Sequence, residues 1–317
     1  MLKTLRRGHR APQPEEAGPA WRPADDLVWI DLLKPTKAEE LAVEAALGLQ
    51  LPTVEEMQAL EPSSRLYQEC GGTFMTATLL ARSHADAPFP TPVTFVLAKG
   101  LLVTLRYEDL KAFSIFAERA PESDFASGTA ALLGLMDAIV ERLARTLDDM
   151  GDKVQIASNS IFNRPKGGNF RPLLTDLAHA QSVTSLTRGS LNSLARTLSY
   201  AALASEIMAD PECRAHLEAL QRDVQSLTEH ASYQSSHIAF LLDAALGLIN
   251  IEQNGIIKFF SVVAVVFMPP TLIASIYGMN FDILPELHWK AGYPLALLAM
   301  LVAAAIPVLW FKKRGWL

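Results

Sequence analysis

Hydrophobic and polar positions follow three different patterns in turn along the chain. From Leu27 to Tyr107 the apolar residues fall in short strand-like runs: Leu27 to Leu33 (LVWIDLL), Arg65 to Cys70, Thr73 to Arg82, Val93 to Ala98 and Leu101 to Tyr107. Lys99-Gly100 between the last two is a two-residue hairpin signal. Thr36 with Glu39, and Thr53 with Glu56, are capping boxes that open two helices, the first running to a stop at Gly48. These features predict an α/β domain on a mostly antiparallel sheet.

From Ser127 the period becomes helical. Leu132, Leu135, Met136, Ile139, Leu143, Leu147, Met150 and Val154 recur at three- and four-residue steps in a helix from Ala130 to about Phe162. The segment Asn163 to Asn169 breaks it, a second helix spans roughly Arg171 to Met208, and a third begins at Pro211. No further proline occurs before Pro269, and one helix over that interval would be about 85 Å long. Such a helix requires neighbours, either the preceding helices or copies of itself.

The third pattern is unbroken apolarity. Phe259 to Tyr277 and Pro294 to Phe311 carry no charge, and each is long enough to cross a bilayer core. The short connection predicts a transmembrane hairpin with spans of about 258–277 and 294–311. Lys258 precedes the first span and Lys312, Lys313 and Arg314 follow the second, whereas the connection sets Lys290 against Asp282 and Glu286. The positive-inside rule therefore predicts that both termini are cytoplasmic. Trp289, Tyr293, Trp310 and Trp316 fall where interfacial aromatics belong.

Along the third helix, steps of three and four residues from Asp243 meet Gly247, Asn250, Asn254, Ile257, Ser261, Ala264, Met268, Thr271, Ser275 and Gly278. One face is thus small or polar for several turns. Two readings stand side by side on spacing alone: close packing of membrane helices through small residues, or a water-facing wall. A single hairpin cannot enclose a pore, so the second reading requires an oligomer. Pro269-Pro270 removes two backbone donors and predicts a kink.

Composition narrows the classes. The chain has 317 residues and a formal net charge of -6, with no basic patch interleaved with aromatics, so nucleic acid is not an expected partner. The two cysteines, Cys70 and Cys213, have neither disulfide-framework nor zinc spacing and suit a reducing compartment. The first 26 residues lack the apolar core of a signal peptide and read as a poorly ordered tail. No P-loop, nucleophile elbow or His-Glu-x-x-His is present, so neither enzyme chemistry nor a bound cofactor is expected. The predicted organisation is a tail (1–26), an α+β domain (27–126), long helices (127–253) and the hairpin (254–317).

The Tyr-Gly-Met-Asn-Phe sequence closing the first span resembles the CorA family of divalent-metal transporters. So do the preceding Met-Pro, the Pro285-Glu286-Leu287-His288-Trp289 loop and the terminal Lys-Lys-Arg-Gly-Trp-Leu. The likeness extends more loosely upstream, through Leu51-Pro52-Thr53 and Ser64-Arg65-Leu66-Tyr67. The resemblance implies a funnel-shaped homopentamer in an inner membrane that carries Mg²⁺, with Co²⁺ and Ni²⁺ often admitted. It implies a selectivity ring of Gly278, Met279 and Asn280, inner rings of Asn254 and Asp243, and a lining of Thr271 and Met268. It further implies an apolar constriction at Ile257 and Phe260, where helical stepping gives Ser261 instead. Some members bind regulatory Mg²⁺ between cytoplasmic domains through an acidic pair; Ala219 stands where one of those acids is expected, with Glu218 and Asp223 nearby. Two other readings are a zinc transporter of the same family and, from another class, a membrane-anchored scaffold or signalling protein.

Overall fold

The computed structural model describes residues 1–8, 11–16, 21–59, 61, 65–82, 88–120, 125–163, 169–279 and 289–316. The chain divides into two compact units, Met1–Phe162 with Arg171–Leu242, and Asn163–Phe170 with Asp243–Leu317.

Seven strands build the first unit: β1 (Leu2–Arg6), β2 (Gln13–Glu15), β3 (Leu27–Leu33), β4 (Leu66–Glu69), β5 (Gly72–Ala81), β6 (Phe89–Ala98) and β7 (Leu101–Arg106). They form one sheet in the order β2-β1-β3-β7-β6-β5-β4. Every neighbouring pair is antiparallel except β3 with β7. The β6–β7 hairpin turns at Lys99 (φ 54°) and Gly100 (φ 76°), the two positive φ values of a type I′ turn. Cys70 (φ 49°) and Gly71 (φ 77°) turn β4 into β5 in the same way.

Helices cover both faces of this sheet, which is why β7 is buried at every position. On one face α1 (Lys37–Leu47) and α2 (Val54–Gln58) supply Val43, Leu47 and Met57 to a core shared with Ile30, Leu32, Phe74, Val96 and Val103. Both helices begin in the predicted capping boxes, with Thr36 N and Thr53 N donating to Glu39 and Glu56 carboxylates at 2.7 and 2.8 Å. On the other face Trp29 meets Phe116 edge-on, centroids 5.0 Å apart, from α3 (Lys111–Arg119). Beyond α3 come α4 (Gly128–Phe162) and α5 (Arg171–Ala201). Gly128 opens α4 directly against β7, its N–H donating to Gly100 O at 2.8 Å; a Cβ there would stand 2.4 Å from Leu102 N.

One charged pair lies inside the sheet. Arg106 donates to both carboxylate oxygens of Asp31, at 3.0 and 2.8 Å, and the two side chains are only 4% and 2% exposed. Thr104 donates to the same carboxylate at 2.8 Å and accepts from the Trp29 indole at 3.0 Å. The guanidinium is over the Phe113 ring, 4.2 Å from its centroid. Every polar atom of this cluster thus has a partner within the unit.

The structure departs from the sequence expectation at four places. The expected unstructured tail contributes β1 and β2, because Leu2 and Leu5 enter the core and β1 pairs with β3. Strand β6 starts four residues earlier than expected and includes Pro90 and Pro92. Only Val93–Ala98 is flanked by β7, so the donors these prolines lack are not missed on that side. Helix α3 has no side-chain cap and was not anticipated. The second long helix ends at Ala201 rather than near Met208 and is followed by the short α6 (Ser205–Ala209).

Helix α7 (Pro211–Tyr277) has 67 residues, about 100 Å of rise, and passes through Pro269 and Pro270 as an unbroken helix. Its first part packs within the first unit. Leu217, Leu220, Val224, Ala231, Gln234, Ile238 and Leu241 are buried at steps of three, four or seven residues, the seam of a heptad pattern. Gln234 ties this seam to α4 and α5, donating to Leu147 O at 3.0 Å and accepting from Thr184 at 3.4 Å. The hairpin is completed by α8 (Gly292–Lys313).

Candidate functional site

The second part of α7 and all of α8 are long and apolar enough to cross a membrane, and only 6% of each apolar stretch is buried within the chain. A core helix of a soluble protein would bury most of it. On α7 from Lys258 onward the residues withdrawn from solvent are Lys258, Val262, Val266, Pro269, Pro270 and Ile273; on α8 they are Gly292, Ala296, Met300, Ala303, Ala304, Ala305, Pro307 and Phe311. Most of each set falls on one stripe at helical spacing. Lys258 shows that α7 meets the end of α8: its ammonium lies 3.5 Å from Gly315 O and 5.3 Å from the Trp316 ring centroid. Trp316 in turn stacks on Phe311, centroids 5.5 Å apart.

The small and polar stripe lies elsewhere on the helix. At about 100° per residue, the positions from Asn254 to Gly278 centre about 140° from the packed stripe. Asp243, Asn254, Ile257, Phe260, Met268, Thr271, Gly278 and Met279 are all exposed. Close packing of the hairpin's own two helices therefore does not account for the stripe. Phe260 and Ser261 flank its centre on opposite sides, so a small rotation of α7 exchanges them.

Local chemistry along this face favours oxygen acceptors. The Thr271 hydroxyl donates to Phe267 O at 2.7 Å, which uses its proton inside the helix and leaves its lone pairs outward. The helix ends as Gly278 N donates to Ala274 O at 2.9 Å and Met279 N to Ile276 O at 3.3 Å. A Cβ at Gly278 would stand 3.1 Å from Ala274 O, so a side chain there would crowd the terminal turn. Asn280 lies outside the described residues, as do Asp282, Glu286 and His288.

A single chain strings these groups over about 50 Å of helix between Asp243 and Gly278 and gathers no two of them at one centre. Among the described residues there is no cluster of three His, Cys, Asp or Glu side chains that would hold a metal ion. The thiols lie off this face. Cys213 is buried and donates to Asp210 at 3.3 Å, and burial together with that acid pushes it up to about 11. Lys258, placed by sequence only as a flanking charge, is a polar link within the hairpin; its spacing of four and eight residues from Val262 and Val266 was the available signal.

A small and polar face on a membrane-spanning helix, in one chain with a sheet-and-helix unit, defines the class as a two-span membrane protein. Residues 24–313 match the family described as CorA-like Mg²⁺ transporter protein. The chain is 35% identical over 298 residues to the magnesium transport protein CorA of Escherichia coli K12, covering 93% of this chain and 94% of that one. The complete structure of the CorA magnesium transporter from Methanocaldococcus jannaschii superposes with a TM-score of 0.79 at 20% identity, over 100% of this chain and 99% of that one. The ZntB cytoplasmic domain from Vibrio parahaemolyticus gives 0.58 at 10% identity, over 79% and 99%. The chain belongs to the CorA family.

Proposed function

We propose that this chain is the subunit of a homopentameric Mg²⁺ channel in the inner membrane, with both termini cytoplasmic and α7 lining the pore. The observation that carries this reading is the exposed stripe from Asn254 to Gly278, set about 140° away from the face of α7 that is withdrawn from solvent. Polar groups facing lipid are costly, and copies of the same helix around an axis would turn them to water instead.

In that assembly Gly278, Met279 and Asn280 form the outer ring, Met268 and Thr271 line the middle, Ile257 and Phe260 form the apolar constriction, and Asn254 and Asp243 form inner rings. Mg²⁺ releases its waters reluctantly. Amide, hydroxyl and carbonyl oxygens accept hydrogen bonds from the hydration shell without stripping it. Neutral oxygens also hold a divalent ion weakly enough for it to leave. Acidic Asp243 at the inner end then draws the cation onward. Cytoplasmic Mg²⁺ bound between subunits would favour the closed state, a shift of population rather than a new structure. Ala219 stands where one acid for that control is expected, with Glu218 and Asp223 nearby, and the residues of that control are not assigned.

Liposomes containing the protein test the reading. Mg²⁺ entry should exceed Zn²⁺ entry, hexaamminecobalt, which mimics the hydrated ion, should block it, and Asn280→Ala should abolish it. Co²⁺ and Ni²⁺ are expected to enter more slowly. Faster Zn²⁺ entry insensitive to hexaamminecobalt would replace Mg²⁺ by Zn²⁺; the fold likeness to the ZntB cytoplasmic domain is silent on the ion. No flux of any divalent ion, in wild type or variant, would leave the hairpin as the anchor of a scaffold.

A further inference from the structure

The transport reading leaves unused the end of α8, where cations and aromatic rings gather. Helix α8 closes in a Schellman turn. Gly315 takes φ 69°, its N–H donates to Lys312 O at 3.2 Å, and Trp316 N donates to Phe311 O at 3.0 Å. That turn lays Trp316 back on Phe311, centroids 5.5 Å apart, while Trp310 meets Phe311 edge-on at 5.1 Å. A cation lies over each outer ring. Arg314 is 5.3 Å from the Trp310 centroid, and Lys258, arriving from α7, is 5.3 Å from that of Trp316.

No acid balances this cluster. The sequence holds no Asp or Glu from Gln253 to Phe281 or from Leu287 to Leu317. Glu252, the nearest acid along α7, stands six residues before Lys258 and about 120° round the helix from it. Among the described residues no carboxylate pairs with Lys258, Lys312, Lys313 or Arg314, and the acceptor that their side chains find is Gly315 O, 3.5 Å from the Lys258 ammonium. Lys312 and Lys313 lie in the last turn of α8, where they offset the partial negative charge of the helix end. Lys258 and Arg314 are turned onto rings instead. A ring face attracts a cation but leaves most of its N–H donors unused. Trp310 and Trp316 are themselves about half exposed, as suits rings at a membrane surface.

We propose that this ladder of rings is a binding site for an anionic phospholipid, whose phosphate oxygens accept from Lys258 and Arg314 while its acyl chains run along the exposed Val302, Ile306 and Leu309 of α8. Charge complementarity selects the occupant: a zwitterionic headgroup brings its own ammonium to the cations, and an anionic one does not. Because Lys258 belongs to α7 and Arg314 to α8, the bound lipid ties the two helix ends together. The inference rests on the reading of α7 and α8 as membrane spans, and not on which ion they conduct.

Tryptophan quenching by brominated lipids tests this on the full chain in nanodiscs. Trp289→Phe leaves Trp310 and Trp316 as the indoles of the second unit, since Trp21 and Trp29 belong to the first. In that background, brominated phosphatidylglycerol should be preferred to brominated phosphatidylcholine on the order of twentyfold, and less so at high salt. Lys258→Gln and Arg314→Gln should each lower this preference about fivefold, with unchanged melting curves. Gly315→Val keeps every charge but forces a branched side chain into a left-handed turn, and should lower the preference as far. An unchanged preference in Gly315→Val would reduce the site to diffuse attraction by a basic tail and overturn it. Equal quenching by the two headgroups would also overturn it, as would displacement of phosphatidylglycerol by free pyrophosphate, which would make a soluble phosphate the ligand. Quenching by neither lipid would remove the spanning reading itself, and the site with it.

Discussion

The two units handle polar groups in opposite ways. In the sheet unit, Asp31 and Arg106 are almost wholly buried, and each meets its partners within the same unit. In the hairpin unit, Asp243, Asn254, Thr271 and Gly278 face outward from a helix that turns a different face to its own partner. The first unit satisfies its interior alone. The second contains half of a polar surface, and the missing half has to come from water, lipid or further copies. Damage to the first should therefore appear as lost stability and damage to the second as lost flux.

The largest effect that would break this contrast lies in the sheet. Asp31→Ala leaves a buried guanidinium without its carboxylate, and unfolding of the sheet unit followed by circular dichroism in urea should show a loss of about 3–5 kcal/mol. A loss below about 1 kcal/mol would mean that the pair is not buried in the assembled protein. Asp31 also marks the limit of what the sequence discloses. Leu27 to Leu33 reads as a buried strand from its apolar density, yet the partner of its one acid is 75 residues away on β7. Features decided within a few residues were legible: both capping boxes, the Lys99-Gly100 turn, the start of α7 at Pro211 and the extent of α4. Those decided by remote pairing were not. Strand β1 exists because β3 accepts it, and β6 tolerates two prolines because β7 stops short of them. On the candidate site, spacing alone disclosed the stripe but left its use open, because which face of α7 meets α8 is a tertiary fact.

The two faces of α7 offer the next test. Ala264→Leu places bulk on the exposed stripe, and Mg²⁺ uptake into liposomes should fall by on the order of tenfold with the melting temperature unchanged. Val262→Ala removes two methyl groups from the packed face, where the residue is 6% exposed. It should cost roughly 1–2 kcal/mol in the thermal stability of the hairpin, while uptake stays within about a factor of two. Reversal of the pattern, with Val262→Ala silencing uptake and Ala264→Leu only loosening the hairpin, would place the pore on the other face.

The smallest effect tests whether burial, rather than charge pairing as such, makes the sheet unit self-sufficient. Glu141 on α4 accepts from Arg119 and Arg145, the same chemistry as Asp31 with Arg106, but all three side chains are at least one-third exposed. The bond from Arg119 is the main cause that holds the Glu141 carboxyl below its ordinary value, against a smaller opposing effect of burial. A lowered carboxyl contributes stability above its ordinary titration range and loses it as pH falls through the shifted value. Solvent screening limits the amount, so Glu141→Gln should cost about 0.5 kcal/mol at pH 7, and the difference from wild type should shrink as pH falls below the ordinary carboxylate range. Melting curves at pH 7 and at pH 3.5 check both the size and the sign. A cost at pH 7 equal to that of Asp31→Ala would show that pairing matters more than burial, and the contrast between the units would then rest on which charges find partners at all.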